Sequence, residues 1–146
     1  MLVDANILVF AVDETSRFHR AAASWLTGRL NGSRRVGLPW QSLAAFLRLV
    51  TNPRVSSDPL APSDAWGIVQ SWLGSDVAWI PSPSERHAEV FGSLLLTYDI
   101  RGNLVPDAEL AALAIEHGLT ICSADTDFAR FREVRWENPI APGARS

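Results

Sequence analysis

Four aspartates, Asp4, Asp107, Asp125 and Asp127, are the side chains of this 146-residue sequence best placed to do chemistry. Met1-Leu2-Val3 reads as a short buried strand that runs straight into Asp4. Leu119 to Cys122 reads as a second strand, and it runs into Asp125 and Asp127. Asp107 follows Pro106 in the first turn of a helix, where the helix dipole favours an anion. If the two strands are parallel neighbours, the four carboxylates converge at one sheet edge. Carboxylates crowded into a small site repel one another unless a cation neutralises them. Mg²⁺ suits such a set, because it takes a few carboxylates and retains waters. A site of that kind activates water and stabilises charge on a phosphodiester. The plain alternative for Asp4, Asp107 and Asp125 is helix capping, since each stands where a helical turn begins. The coincidence of acids at two strand ends favours the metal site over the caps.

The elements that must position these acids alternate between strand and helix. A turn or short helix through Asn6 and Phe10 follows the first strand. The spacing predicts helices over 19–30 and 41–51, the latter ended by Asn52-Pro53, and a strand at 36–38 lies between them. Asp58 to Pro62 reads as a loop, with Ser63 capping a helix to Leu73. A strand at 77–80 precedes a helix from Pro83-Ser84 to about Tyr98. The helix opened by Pro106-Asp107 ends near Glu116, with Gly118 closing it. Leu119 to Cys122 is the last clear strand, and the tail from Pro139 is expected to fray. Short apolar strands alternating with helices imply a three-layer α/β/α domain around a mainly parallel sheet. In such sheets ligands collect beyond the carboxyl ends of the strands. No linker, repeat or low-complexity segment divides the chain.

Composition removes several rival chemistries. All 13 basic residues are arginine, and lysine is absent. Schiff-base catalysis, Walker-A phosphate loops and kinase chemistry, which need an amine, are therefore excluded. A phosphoaspartyl enzyme using Asp4 as nucleophile is disfavoured, because Asp4-Ala5-Asn6 offers no second acid two residues on. The net charge of −3 argues mildly against a dedicated nucleic-acid scaffold. The single cysteine, Cys122, fits a reducing cytoplasm and excludes multi-thiol metal sites. No stretch reaches the roughly 20 apolar residues of a membrane span, so no membrane role is expected.

Four segments then resemble a known family in order and spacing. Leu2-Val3-Asp4-Ala5-Asn6-Ile7-Leu8 looks like the start of a PIN domain, and Gly102 to Ala114, with Val105-Pro106-Asp107-Ala108 within it, resembles the family's third-aspartate helix. Ser123-Ala124-Asp125-Thr126-Asp127-Phe128 resembles its closing motif. Pro39-Trp40 and Phe46 to Arg54 look like the VapC-type toxins of toxin–antitoxin pairs. The resemblance spans essentially residues 1–139, read as one PIN domain, with 140–146 as a disordered tail. It implies a Mg²⁺- or Mn²⁺-dependent endoribonuclease, cytoplasmic, restrained by a VapB-type antitoxin and expected to form a homodimer. Carried over by position, Asp4 and Asp107 are the foremost metal ligands. Asp125 completes the acidic cluster and Asp127 lies at its rim. Asn6 orients Asp4, and Ser123 supports Asp125.

One position departs from the pattern. Many PIN nucleases carry a glutamate just before the Phe-Leu-Arg segment, where this chain has Ala45, and no acidic residue lies between Glu14 and Asp58. Alanine neither ligates a metal nor positions water; Gln41, one turn earlier, can hold a water but brings no charge. A binding module that grips RNA or an antitoxin without cutting is thus the second reading. The histidines His19, His87 and His117 have no ligand spacing. Among cations that can meet phosphate, Arg101 is preferred over Arg17, Arg48 and Arg54, because its loop leads directly to Asp107. Trp40, beside Pro39 at a strand mouth, is a candidate for stacking on a base, against the default of core packing.

Overall fold

Strand pleating divides the hydrophobic core in two. In the computed structural model, which describes residues 1–142, strand β1 (Leu2–Val3) is buried on both faces. Leu2 belongs to one apolar cluster with Ile121, and Val3 to the other with Cys122, as expected when successive side chains point to opposite sides of a sheet. Helices α1 (Ala5–Val12), α2 (His19–Leu30), α3 (Trp40–Val50) and α4 (Pro62–Leu73) cover the Val3 side. Helices α5 (His87–Thr97) and α6 (Val105–His117) cover the Leu2 side. The remaining strands are β2 (Val36–Gly37), β3 (Ala78–Trp79), β4 (Ile121–Cys122) and β5 (Trp136–Glu137). The expected three-layer α/β/α architecture is present, and the sheet is parallel throughout.

The strand order is β3-β2-β1-β4-β5. The chain builds outward from β1 to β3, then crosses back to place β4 on the other flank of β1. Helices change face where the chain changes direction, as right-handed crossovers require. The order therefore reverses between β1 and β4, and in such sheets the crevice beyond that point receives ligands. Register is fixed there by the pairs Leu2↔Ile121 and Val3↔Cys122. Asp4 and Ser123, the next residue of each strand, consequently emerge side by side.

Several elements differ from the sequence reading. Strand β5 follows β4 and was not anticipated. Its two residues, one of them exposed, follow Arg135 and include Glu137, so no apolar run marks it. The helix expected from Pro83-Ser84 begins instead at His87. The Ser84 amide and hydroxyl both donate to Glu116 Oε1, at 2.8 and 2.6 Å, tying this stretch to α6 rather than to a helix of its own. Ser63 does not cap α4: the helix starts at Pro62, whose fixed φ suits a first turn. Gly118 closes α6 at φ 65°, the left-handed conformation that favours glycine. The tail does not fray at Pro139, because Ile140 is buried in the core of the α1–α4 side; residues 143–146 lie outside the described residues. Among the described residues no helix is long and apolar enough to cross a membrane.

Gly37 has a packing role that its neighbours make specific. A Cβ there would stand 2.8 Å from Pro81 Cγ and 3.0 Å from the Met1 carbonyl oxygen. Neither a proline ring nor a strand backbone yields easily. Gly37→Ala is expected to cost about 1–3 kcal/mol of stability, read as a lower urea midpoint with an unchanged m value. An unaltered midpoint would show that β1 and β2 can separate without penalty.

Candidate metal centre

The site begins with two strand ends and one helix end. Asp4 leaves β1, and its amide donates to the Cys122 carbonyl at 3.0 Å, so the β1–β4 ladder continues to the edge of the site. Its Oδ1 accepts the Ala5 amide at 2.8 Å and caps α1. Asp125 leaves β4 and caps the 3-10 turn at Thr126–Arg130, accepting the Asp127 amide at 2.8 Å. Both cap readings therefore hold, and they coexist with convergence: a cap fixes a carboxylate's position without consuming its charge. Asp107 caps nothing; it stands in the first turn of α6 behind Pro106.

Asp107, Asp125 and Asp127 each offer a carboxylate oxygen within 4.8 Å of the other two. Asp127 is thus one of the three acids whose oxygens converge, with a side chain that stays partly open to solvent. Asp4 stands beside this trio, close enough for its charge to raise the Asp107 pKa. Its Oδ2 is held by protein donors, with the Ser123 hydroxyl at 2.7 Å and the Asn6 amide at 3.4 Å.

Ser123 is the hub of that support. Fully buried at 0 % exposure, its hydroxyl donates to Asp4 and accepts from Asn6 Nδ2 at 3.1 Å and from the Asp125 amide at 3.0 Å. One donor and two acceptor sites exhaust what a hydroxyl can offer. Asn6 closes the loop by accepting the Ala124 amide on Oδ1 at 3.2 Å. Trp136 on β5 clamps the far side, its indole N–H donating to the Ser123 carbonyl at 3.0 Å. Asn6 thus reaches both Asp4 and Ser123 through its side-chain amide. Ser123 supports Asp4 as well as Asp125, a double role that no linear spacing reveals.

The electrostatics are those of crowded anions. Burial, followed by the charges of Asp125, Asp4 and Asp127, pushes the Asp107 carboxyl up to about 7; Arg130 pulls the other way. Burial also raises the Asp4 pKa, against hydrogen bonds from Ser123 and Ala5 that lower it. Arg130 is a cation that sequence reasoning missed. Its guanidinium donates to the Asp127 carbonyl oxygen at 3.2 Å and to Asp127 Oδ1 at 3.3 Å. The three-residue spacing of Asp127 and Arg130 across one turn was the available signal. The donor set is all carboxylate oxygen, with no thiol or imidazole in the cluster, and that chemistry fits a hard divalent cation.

Other candidates fall elsewhere. Arg101 turns to Asp99, with an ion pair at 3.0 Å and both side chains largely in solvent. Trp40 opens α3 and is 50 % exposed. Ala45 is half-buried on α3. Gln41, one turn before it, donates its amide to the Pro106 carbonyl at 2.8 Å, while its Oε1 is buried and unpartnered among the described residues. Each histidine has a structural partner: His19 the Phe10 carbonyl, His87 the Glu116 carboxylate, His117 the Ser82 carbonyl. Cys122 is buried, which pushes its thiol up to about 12 and leaves it inert.

A parallel sheet that gathers aspartates at its switch point is the arrangement found in PIN domains. The PIN domain family model matches residues 1–134, and the chain belongs to that family. Within it the relatives are VapC ribonucleases. Ribonuclease VapC37 of Mycobacterium tuberculosis is 44% identical over 140 residues, covering 96% of this chain and 97% of that protein. Ribonuclease VapC43 of the same organism is 41% identical over 140 residues, covering 96% and 95%. Among solved structures, VapBC2 from Rickettsia felis bound to a promoter DNA fragment superposes with a TM-score of 0.69 at 20% identity, over 94% of this chain and 96% of that one. VapC20 of Mycobacterium tuberculosis, described as a Sarcin-Ricin loop cleaving toxin, gives 0.65 at 20% identity, over 92% and 98%. At that identity the two structures speak for the fold alone.

Proposed function

We propose that this chain is the toxin of a toxin–antitoxin pair, an endoribonuclease that hydrolyses RNA phosphodiester bonds with a divalent metal, and that its partner is a VapB-type antitoxin. The observation that carries the reading is the convergence of Asp107, Asp125 and Asp127 within 4.8 Å, beside Asp4 at the switch point of a parallel sheet. Relatives that are ribonucleases by name at 44% and 41% identity support it. Mg²⁺, or Mn²⁺ in its place, supplies neutralisation of the phosphodiester charge and an activated water. The chain's residues prepare the place for it. Asp107, Asp125 and Asp127 present oxygens within 4.8 Å of one another. Asp4 adds the fourth charge; its Oδ1 accepts one hydrogen bond and retains a lone pair for a ligand, while its Oδ2 accepts two. Ser123 and Asn6 hold Asp4 still, and Arg130 holds Asp127. The protein works in the cytoplasm, as a homodimer, away from membranes. Arg101 and Trp40 stand at loop and helix ends as RNA contacts of second rank.

The test is cleavage of total RNA by the purified chain with Mg²⁺ or Mn²⁺, against the same reaction in a chelator. Fragmentation that requires the metal and disappears in Asp4→Asn and Asp107→Asn supports the reading, as does growth arrest relieved by the same substitutions. RNA bound but uncut at every metal concentration would overturn it in favour of the binding module. Ala45 is the observation behind that second reading, and it has its own check. Ala45→Glu is expected to raise cleavage about tenfold and to lower the Mg²⁺ concentration needed for half-maximal activity, by adding an oxygen ligand. A variant no more active than the parent would show that α3 is not where a further ligand is wanted.

A further inference from the structure

Beside the acidic centre, one helical turn along α1, lies a cleft that the metal site does not use. It is lined by Phe10, Arg17, Phe18, Ala124, Asn138 and Ile140, and has a volume of about 610 Å³, within the range of small-ligand pockets. Phe10 is four residues after Asn6, so it sits on the same face of α1, about 6 Å further along the axis. Ala124 joins the two regions: it lines the cleft, and its amide donates to Asn6. The cleft is therefore continuous with the hydrogen-bond network that holds Asp4.

Its walls match the parts of a nucleotide. Phe10 and Phe18 are half-buried, their rings tilted with centroids 5.1 Å apart, and they supply apolar aromatic surface. The Arg17 guanidinium lies 4.7 Å from the Phe18 ring centroid, is exposed, and has no acidic partner among the described residues. It is thus a fixed cation at the cleft mouth. Asn138 accepts the Ile140 amide on Oδ1 at 3.1 Å. That bond sets the orientation of the side-chain amide and leaves its NH₂ without a partner among the described residues. We infer that this cleft binds a nucleobase of single-stranded RNA next to the scissile phosphate. Phe10 and Phe18 contact the base, the Asn138 NH₂ donates to an acceptor on its edge, and Arg17 meets the adjoining phosphate. Stacking tolerates every base, whereas a lone amide donor prefers bases with an outward acceptor, so the cleft contributes sequence preference. The inference rests on the reading of the acidic centre as an RNA-cleaving site.

The test is fluorescence anisotropy with labelled single-stranded hexaribonucleotides of A, C, G and U, run on the full chain carrying Asp107→Asn so that binding is read apart from cleavage. In that background Arg17→Gln is expected to weaken all four about fivefold. Asn138→Asp keeps the acceptor for Ile140 but loses the NH₂, and is expected to change the order of preference among the four. Phe18→Ala is expected to weaken them about tenfold, with its folding checked by circular dichroism. In the chain with Asp107 restored, the cleavage junctions in a random RNA pool shift with Asn138→Asp. Affinities and their order unchanged in both Arg17→Gln and Asn138→Asp would overturn the inference. Failure of the parent chain to cut RNA would instead count against the nuclease reading, while the anisotropy still reports on the cleft. Loss of a basic amphipathic peptide but not of RNA in these variants would assign the cleft to a protein partner and overturn the inference.

Discussion

Asp107→Asn is expected to abolish metal-dependent RNA cleavage, by at least about a hundredfold, and at the same time to make the metal-free protein more stable above neutral pH. The two effects share one cause. Asp107 is pushed up to about 7 by burial and by the charges of Asp125, Asp4 and Asp127. In the unfolded chain its carboxyl ionises near 3.8. Between those two values the folded state holds a proton that the unfolded state has released. By linkage the stability contributed by this group is complete below about pH 4 and is lost as pH rises through 7. Asparagine removes that loss. Because Asp107 is half-exposed, solvent screening reduces the gain to about 1–2 kcal/mol at pH 8, and none is expected at pH 4. Mg²⁺ should stabilise the parent protein at pH 8 in proportion to its occupancy and leave the variant unmoved. Thermal melts at pH 4 and pH 8, with Mg²⁺ and with chelator, separate these outcomes. Equal melting temperatures for parent and variant at pH 8 without metal would show that the four anions do not repel as their positions require. A Mg²⁺ shift retained in the variant would remove Asp107 from the metal site.

Ser123→Ala is the second large effect, because one buried atom serves three partners. The hydroxyl donates to Asp4 and accepts from Asn6 and the Asp125 amide. Its removal leaves two N–H groups without their acceptor and a buried carboxylate short of a donor. At about 1–3 kcal/mol for each group left unsatisfied, partly relieved by water, a loss of about 2–4 kcal/mol is expected. The bond from Ser123 lowers the Asp4 pKa, so its loss raises that pKa further and the acidic limb of the pH–activity profile moves to higher pH. Cleavage is expected to fall about 10–100-fold, as when a partner that orients a metal ligand is lost. Urea denaturation and a pH profile of kcat/KM measure the two effects separately. A destabilised variant with an unmoved acidic limb would reduce Ser123 to a structural residue.

Much of this was legible in the chain alone, for identifiable reasons. Alternating strands and helices leave strong periodic signals, so the architecture was readable and α2 matched its expected bounds at His19 and Leu30. Asp4 and Asp125 were conspicuous because each interrupts an apolar run. Strand β5 was not readable, since Trp136 stands between Arg135 and Glu137 with no apolar run around it, and it is placed by pairing with β4 and by holding the Ser123 carbonyl. The start of α5 was displaced for a similar reason: Ser84 is bound by Glu116, which lies 32 residues away. Arg101 was singled out by adjacency to Asp107, whereas its solvent-exposed pairing with Asp99 is a matter of tertiary structure.

Residue types and order were thus sufficient for an α/β domain, for a set of acids suited to a divalent cation, and for the absence of the usual glutamate at Ala45. Which acids share a ligand was a matter of parallel register and the return of the chain across β1. These place Asp125 and Asp127 against Asp107, and bind Asp4 to Ser123 across 119 positions. Carboxylate repulsion acts over a few ångströms, and distances of that size between remote residues exist only once the sheet has formed. The cleft at Phe10 and Asn138 has the same origin, its two sides meeting only because the chain end packs Ile140 into the core beside α1.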